Sequence, residues 1–172
     1  MLKIHYKNIS KALLLAVPLF VATSVKADDM DDVQTLLEAY IETESDLTAQ
    51  GRLMTDDRTY IVGAPAMRDT DNVANMELQL FQEQRRLAMD PDGLYRASAE
   101  DFIIKVYGDA AVASFRRNLI WRPSAEGMRN GGSNNTNRQW VTVMMAKVGR
   151  EWKIVHTHIS PAGQPANAAR FS

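Results

Sequence analysis

The chain has 172 residues, of which 45% are hydrophobic and 24% charged, a formal net charge of -1 and no cysteine. This profile is typical of one ordinary soluble domain, and the lack of cysteine excludes a disulfide framework, a thiolate metal site and a cysteine nucleophile. The near-zero charge, without a lysine- or arginine-rich block, also excludes the electrostatic footprint of a dedicated nucleic-acid-binding protein. We therefore expect a small-molecule or protein partner and no nucleic acid.

Residues 1–27 have the three parts of a secretory signal peptide. Lys3, Lys7 and Lys11 precede an apolar run at residues 12–22, and small or short residues lead to a cleavage site after Ala27. The run is shorter than the roughly 20 residues that a membrane-spanning helix needs. We expect a cleaved bacterial signal peptide, a periplasmic or secreted protein and no stable membrane insertion afterwards.

Cleavage would leave 172 − 27 = 145 residues. It removes four of the 20 basic residues and none of the 21 acidic ones, so the formal charge becomes 16 − 21 = −5. We expect one domain over residues 28–161 and a flexible tail over residues 162–172.

Helical signals come first in the cleaved chain. Apolar residues at helical spacing predict a first helix, marked by Val33, Leu36, Leu37, Tyr40, Ile41 and Leu47. A second helix is marked by Val73, Met76, Leu80, Phe81 and Leu87. Asp69, Thr70 or Asp71 is available as its N-terminal cap, and residues 90–93 as its terminator. Between the two, residues 59–62 predict a short strand.

Strand signals dominate the second half. Runs rich in β-branched and aromatic residues predict four long antiparallel strands, at residues 94–107, 110–121, 139–147 and 152–159. Tight turns are expected at Gly108 and Gly149, and a mobile polar connection at residues 122–138. Helices on one face of a curved antiparallel sheet give an α+β two-layer domain with a pocket between the layers.

The last strand, Gly149 to Ser160, resembles the closing segment of the SnoaL-like branch of the nuclear transport factor 2-like superfamily. Residues 36–40, 53–57 and 108–112 match that branch more loosely, so the resemblance covers nearly all of residues 28–161. It implies a cone-shaped domain with a central pocket that commonly dimerises through the outer face of the sheet. This fold hosts enzymes, binding proteins and association modules alike.

Ketosteroid isomerase and polyketide cyclase relatives use the pocket for acid/base chemistry. Tyr40 falls at the place of the isomerase's pocket tyrosine. Val62 falls at the place of its catalytic carboxylate. Because valine cannot move a proton, the resemblance argues against the isomerase reaction.

The association domain of calcium/calmodulin-dependent kinase is a second relative within the resemblance, and its pocket presents arginines to small carboxylates. Arg117 matches one such arginine, whereas Val143 stands where another would be. Alternation along the strand requires either Arg116 or Arg117 to face inward. A buried arginine needs an anionic partner, and we expect Glu38, Glu77 or a ligand in that role.

The remaining pocket candidates are aromatic residues and histidines. His156 and His158 are two residues apart on a strand, so we expect them to share a face with Trp152 and Ile154. Two histidines without a third ligand do not make a zinc site, and no cofactor is predicted. Together, the predicted pocket residues are Tyr40, Tyr60, Arg117, Trp140, His156 and His158.

Three readings remain open. The domain is a small-molecule binding protein for an apolar or carboxylate-bearing ligand, a homodimeric association module without catalysis, or an acid/base isomerase, cyclase or hydratase. The last needs a pocket carboxylate or histidine with a pKa near the working pH. No catalytic residue is assigned.

Overall fold

The computed structural model describes residues 27–63 and 67–163. Residues 1–26, which hold most of the predicted signal peptide, and most of the predicted tail lie outside the described residues. The helices are α1 (Ala27–Glu42), α2 (Leu47–Gly51), α3 (Asn72–Met89) and α4 (Ala125–Arg129), with a 3-10 turn at Thr43–Ser45. The strands are β1 (Met54–Val62), β2 (Met67–Asp69), β3 (Leu94–Tyr107), β4 (Ala110–Arg122), β5 (Asn135–Val148) and β6 (Glu151–Pro161).

The strands form one six-stranded sheet in the order β2-β1-β6-β5-β4-β3. The predicted antiparallel run from β3 to β6 is confirmed, and β1 joins β6 in parallel. The sheet is curved and the helices pack on its inner face, which confirms the predicted α+β class.

The core lies between α1 and the inner face of the sheet. Alternate residues of the central strands point inward, so the buried apolar positions of β4 and β5 are Ala111, Ala113, Phe115, Val141, Val143 and Met145. α1 covers them with Val33, Leu36, Leu37 and Tyr40, all predicted from its apolar spacing. No helix in the described ranges, 27–63 and 67–163, is long and apolar enough to cross a membrane.

Several element boundaries differ from the sequence prediction. The first predicted helix divides into α1, a 3-10 turn and α2, and β1 begins at Met54 rather than at Thr59. The predicted mobile connection contains α4, and β5 already begins at Asn135. The polar composition of residues 122–138 concealed α4 and the start of β5, because an exposed helix and a strand tip have little apolar periodicity.

The tight turns follow the prediction. Gly108 and Gly149 adopt φ values of 61° and 68°, the left-handed region that glycine enters without steric penalty. They close the β3–β4 and β5–β6 hairpins. The cap of α3 is also among the predicted residues, since the Asp71 side chain accepts a hydrogen bond from the Ala74 N–H.

A β-bulge in β6 overturns the predicted face of the two histidines. Ile154 pairs with Met145, whereas His156 pairs with the adjacent Met144, so Val155 is an extra residue. Trp152 and Ile154 are buried before the bulge, and Thr157 and Ile159 after it. His156 and His158 consequently lie on the outer face, and the prediction that they share a face with Trp152 and Ile154 is wrong.

The helix α3 is confirmed, but its marker residues form only part of its buried face, since Met76 and Leu80 are half-buried and Met76 packs against the core. Val73, Phe81 and Leu87 are exposed. The side facing the sheet instead carries what we call the polar stripe, whose members are Asn72, Asn75, Gln79, Glu83 and Arg86. Their spacing of three and four residues is that of one helix face. The apolar spacing therefore predicts the helix correctly but does not predict which of its sides lies against the sheet.

Candidate functional site

The space between α3 and the sheet is built around two buried arginines. Arg58 comes from β1 and Arg117 from β4, and their exposed fractions are 1% and 5%. We call them the arginine pair. A guanidinium remains charged in proteins, so each must have its lost hydration replaced by polar or charged neighbours.

Arg117 has a complete set of partners. Its Nε and Nη2 donate to Gln139 Oε1 at 2.9 and 2.7 Å, and its Nη1 donates to the Tyr40 hydroxyl at 3.4 Å and to the Glu44 carboxylate. Gln139 is the cross-strand neighbour of Arg117 on β5. Although burial lowers the pKa of Arg117, the nearby Tyr40 and Glu44 oxygens outweigh it and raise that pKa overall.

Among the described residues, the hydrogen-bond partners of Arg58 are neutral. Its Nη2 donates to Asn75 Oδ1 at 3.0 Å, and its Nη1 donates to the Thr157 hydroxyl at 3.4 Å. Its Nε is buried without a partner, and the guanidinium lies 4.8 Å from the centre of the Tyr60 ring. Burial, with a smaller contribution from Arg117, lowers the pKa of Arg58. The interior therefore holds a positive charge that no directly contacting carboxylate within residues 27–63 and 67–163 balances.

Three tyrosines complete this interior. Burial raises the pKa of Tyr40 and of Tyr60, and raises the pKa of Tyr95 to about 12. Their hydroxyls are consequently neutral near pH 7. The Tyr40 hydroxyl accepts from Arg117, whereas Tyr60 and Tyr95 present their ring faces to Arg58 and Arg86, and none of these neutral groups neutralises an arginine.

A cavity of about 220 Å³ lies along the polar stripe, and we call it the inner cavity. Its walls are Glu44, Leu47, Gln79, Gln82, Glu83, Arg86 and Tyr95. Glu44 both lines this cavity and pairs with Arg117, so its carboxylate separates the buried guanidinium from the open space. Burial raises the pKa of Glu83 in spite of the opposing effect of Arg86.

The structure brings together half of the predicted pocket residues. Tyr40, Tyr60 and Arg117 meet in the interior, and Arg117 rather than Arg116 is the inward residue. The predicted internal salt bridge of Arg117 exists, but its acid is Glu44 and not Glu38 or Glu77.

The other three predicted pocket residues lie on the outer face. Trp140 is 45% exposed and alternates with buried Val141, so its predicted place in the pocket is corrected. His156 is half-buried and His158 exposed because of the bulge in β6. Partial burial, then His158 and Arg58, lowers the pKa of His156.

Sequence reasoning missed Arg58, Glu44 and the polar stripe. Arg58 precedes Tyr60 by two residues, and that spacing on a strand was a usable signal for a shared face. Glu44 lies in a 3-10 turn, where neither helical nor strand periodicity applies. The polar stripe was hidden because apolar residues of α3 are conventionally assigned to the buried side.

The chemistry available in this interior is recognition of an anion. An arginine pairs readily with carboxylates, and Arg117 already holds one, since its Nη1 donates to the Glu44 carboxylate. Val62, at the place of the isomerase carboxylate in the resemblance, ends β1 as a half-buried apolar side chain. Among residues 27–63 and 67–163, no three histidine, cysteine, aspartate or glutamate side chains are grouped to hold a metal ion.

Comparison with solved structures shows that the chain has the nuclear transport factor 2-like cone fold. An NTF2-like protein with a cystatin-like fold from Novosphingobium aromaticivorans aligns with a TM-score of 0.62 at 18% identity, covering 83% of this chain and 87% of that chain. An NTF2-like protein of unknown function from Shewanella oneidensis aligns with a TM-score of 0.55 at 15% identity, covering 76% and 98%.

A third similar structure, from Exiguobacterium sibiricum, is named as a candidate Ca/calmodulin-dependent kinase II association domain. It aligns with a TM-score of 0.58 at 16% identity and covers 81% of this chain and 97% of that chain. No protein-family model matches the sequence, and no curated protein matches it. At these identities the likeness establishes the fold alone.

The Asn75 amide is expected to stabilise Arg58. Asn75→Ala removes the acceptor for Arg58 Nη2 and for Gln79 Nε2, leaving buried donors unpaired. We expect the free energy of unfolding to fall by about 1–3 kcal/mol, measured by urea denaturation. Gln34→Ala, which breaks an exposed hydrogen bond to Glu38, is the control and should change it by less than about 0.5 kcal/mol. Equal effects of the two substitutions would contradict this role.

Proposed function

We propose that the protein binds a small carboxylate-bearing molecule in the inner cavity, with Arg117 as the carboxylate-binding residue. The observation that carries the proposal is the position of Glu44, which lines the cavity and pairs with Arg117. A ligand carboxylate that displaces Glu44 would meet an arginine already oriented by Gln139 and Tyr40. In this reading Glu44 occupies the ligand's place when the site is empty.

The lining of the cavity favours a carboxylate over a wholly apolar ligand. The polar stripe places amide, carboxylate and guanidinium groups along the side that α3 contributes. An apolar molecule would remove those groups from water without replacing their hydrogen bonds, which is unfavourable. The charge of Arg58, whose nearest acid Asp69 contacts it only through Asn75, adds a positive potential to the same interior.

The Glu44→Gln variant should be stabilised by added carboxylates, and this stabilisation tests the proposal. Removing the carboxylate leaves Arg117 buried without a counter-charge, which is expected to lower stability by about 3–5 kcal/mol. Benzoate or acetate should then restore it by mass action, by about 2.7 kcal/mol at 100 times the dissociation constant. Thermal unfolding with each acid, against sodium chloride of equal ionic strength, measures the effect.

Matched variants make that result specific. Glu38→Gln removes an exposed acid that does not contact Arg117 and should respond as the unaltered protein does. Arg117→Gln should lose the response to carboxylates. A Glu44→Gln protein that gains no more from benzoate than from chloride would overturn the proposal.

We infer a second, compatible role as a homodimer that associates through the outer face of the sheet. Trp140 and Met144 are 45% and 48% exposed there, on the face opposite the core. The similar structure from Exiguobacterium sibiricum, named as a candidate association domain, supports the same inference. Large exposed apolar side chains on one face favour a protein interface.

Light scattering after size-exclusion chromatography tests the dimer. We expect a dimer at micromolar concentration, and a monomer for Trp140→Glu, because a charge at the interface centre is poorly tolerated. Met89→Glu, at a residue 74% exposed on α3, is the control and should remain dimeric. A purely monomeric unaltered protein would contradict the inference.

We also propose export with cleavage after Ala27, on the grounds of the signal-peptide pattern in residues 1–27. Intact mass spectrometry of the protein recovered from the periplasm or medium should show the loss of those 27 residues. Ala27→Tyr, which places a bulky residue directly before the cut, should block cleavage. Recovery of the full-length chain from the cytoplasm alone would refute export.

A further inference from the structure

A second cavity, of about 470 Å³, lies where β4 ends, and we call it the end cavity. Its walls are Arg86, Met89, Asp90, Trp121, Pro123, Gly127, Asn130 and Gly132. Asp90 fixes the loop that closes it, since its Oδ2 accepts from the Ser124 N–H at 2.9 Å. The absence of a side chain at Gly93 is required here, because a Cβ at that position would lie 2.0 Å from Trp121 Cη2.

Two aromatic rings form a platform beside this cavity. Tyr95 and Trp121 are directly opposed on β3 and β4, and the Arg86 guanidinium lies 4.8 and 4.9 Å from their ring centres. An ion pair to Glu83 at 3.4 Å anchors this guanidinium, and its Nη1 is buried without a hydrogen-bond partner in the part of the chain that the structure describes. The planar Arg86 guanidinium therefore already covers the two rings, and one of its nitrogens lacks a hydrogen bond.

The platform and the arginine pair are connected along the inner face of β4. Arg117, Leu119 and Trp121 are successive inward residues, because side chains on a strand alternate between faces. Four residues of strand separate Arg117 from Trp121 by about 13 Å. Arg86 borders both the inner cavity and the end cavity, so the two spaces meet at its side chain.

We propose that the ligand is an elongated carboxylic acid with an aromatic ring at its far end. This inference rests on the proposed function. The carboxylate takes the place of Glu44 at Arg117, and the ring takes the place of the Arg86 guanidinium on the platform of Tyr95 and Trp121. The ring's edge then enters the end cavity beside Met89 and Pro123, where apolar surface is available.

A homologous series of acids tests this arrangement. Isothermal titration calorimetry with phenylacetate, 4-phenylbutyrate and 8-phenyloctanoate compares acids in which the ring moves progressively away from the carboxylate. Acetate, butyrate and octanoate supply the same chains without the ring. We expect the ring to add little affinity to the shortest acid and about two- to tenfold to the longest, since its stacking contributes about 0.5–1.5 kcal/mol.

Three variants assign the effect to the platform. Trp121→Ala should abolish the advantage of 8-phenyloctanoate over octanoate while leaving acetate binding unchanged, and Trp121→Phe should keep part of that advantage if the alanine variant fails to fold. Arg86→Ala should tighten binding of 8-phenyloctanoate several-fold, because the ring no longer displaces the guanidinium.

The possible outcomes separate this inference from the proposed function. Arg117-dependent binding that is the same with and without the ring would overturn the elongated aromatic ligand and leave the carboxylate site standing. Loss of the ring's advantage in Trp121→Ala, with Arg117 still required, would support both. Binding of every acid that is unaffected by Arg117→Gln would overturn both.

Discussion

The burial of two guanidinium groups is the constraint on which the rest of the interior depends. Arg58 and Arg117 lie under α3 and α1, where water is excluded, so each helix that covers them must supply polar atoms. This explains why α3 turns amides and charges toward the sheet and leaves apolar side chains such as Phe81 in solvent. The hydrophobic core is correspondingly displaced toward α1 and the central strands.

The interior consequently has two ends of different chemistry. Near Arg117 the groups are charged and closely hydrogen-bonded, whereas near Trp121 they are aromatic and apolar with open space beside them. Arg86 lies at the junction and belongs to both, since its charge pairs with Glu83 and its flat face covers two rings. Such a gradient orients a ligand that is itself polar at one end.

The order of elements and the layer architecture could be predicted from the sequence because apolar periodicity reports them directly. Two kinds of feature could not. The extra residue at Val155 moves the residues after it to the opposite face of the sheet. A prediction that assumes regular alternation along the strand cannot detect such a bulge. The polar side of α3 faces the sheet where Asn75 accepts from Arg58 of β1, a contact between distant residues that the apolar spacing within the helix does not indicate. Tyr40 could be found because it follows the apolar spacing of its helix, whereas alternation along β4 left Arg116 and Arg117 open and only the family resemblance pointed to Arg117.

The parallel pairing of β1 with β6 also affects how the chain folds. Met54 pairs with Ile154, 100 residues later, so the sheet closes only after the last strand has been synthesised. Contacts of such large sequence separation slow folding, because the entropy of loop closure is lost before they form. During synthesis, β1 and Arg58 thus remain without their β6 partners until the end. A chain of this topology stays open longest at the junction of β1 and β6, where Arg58 gains Thr157 as a partner.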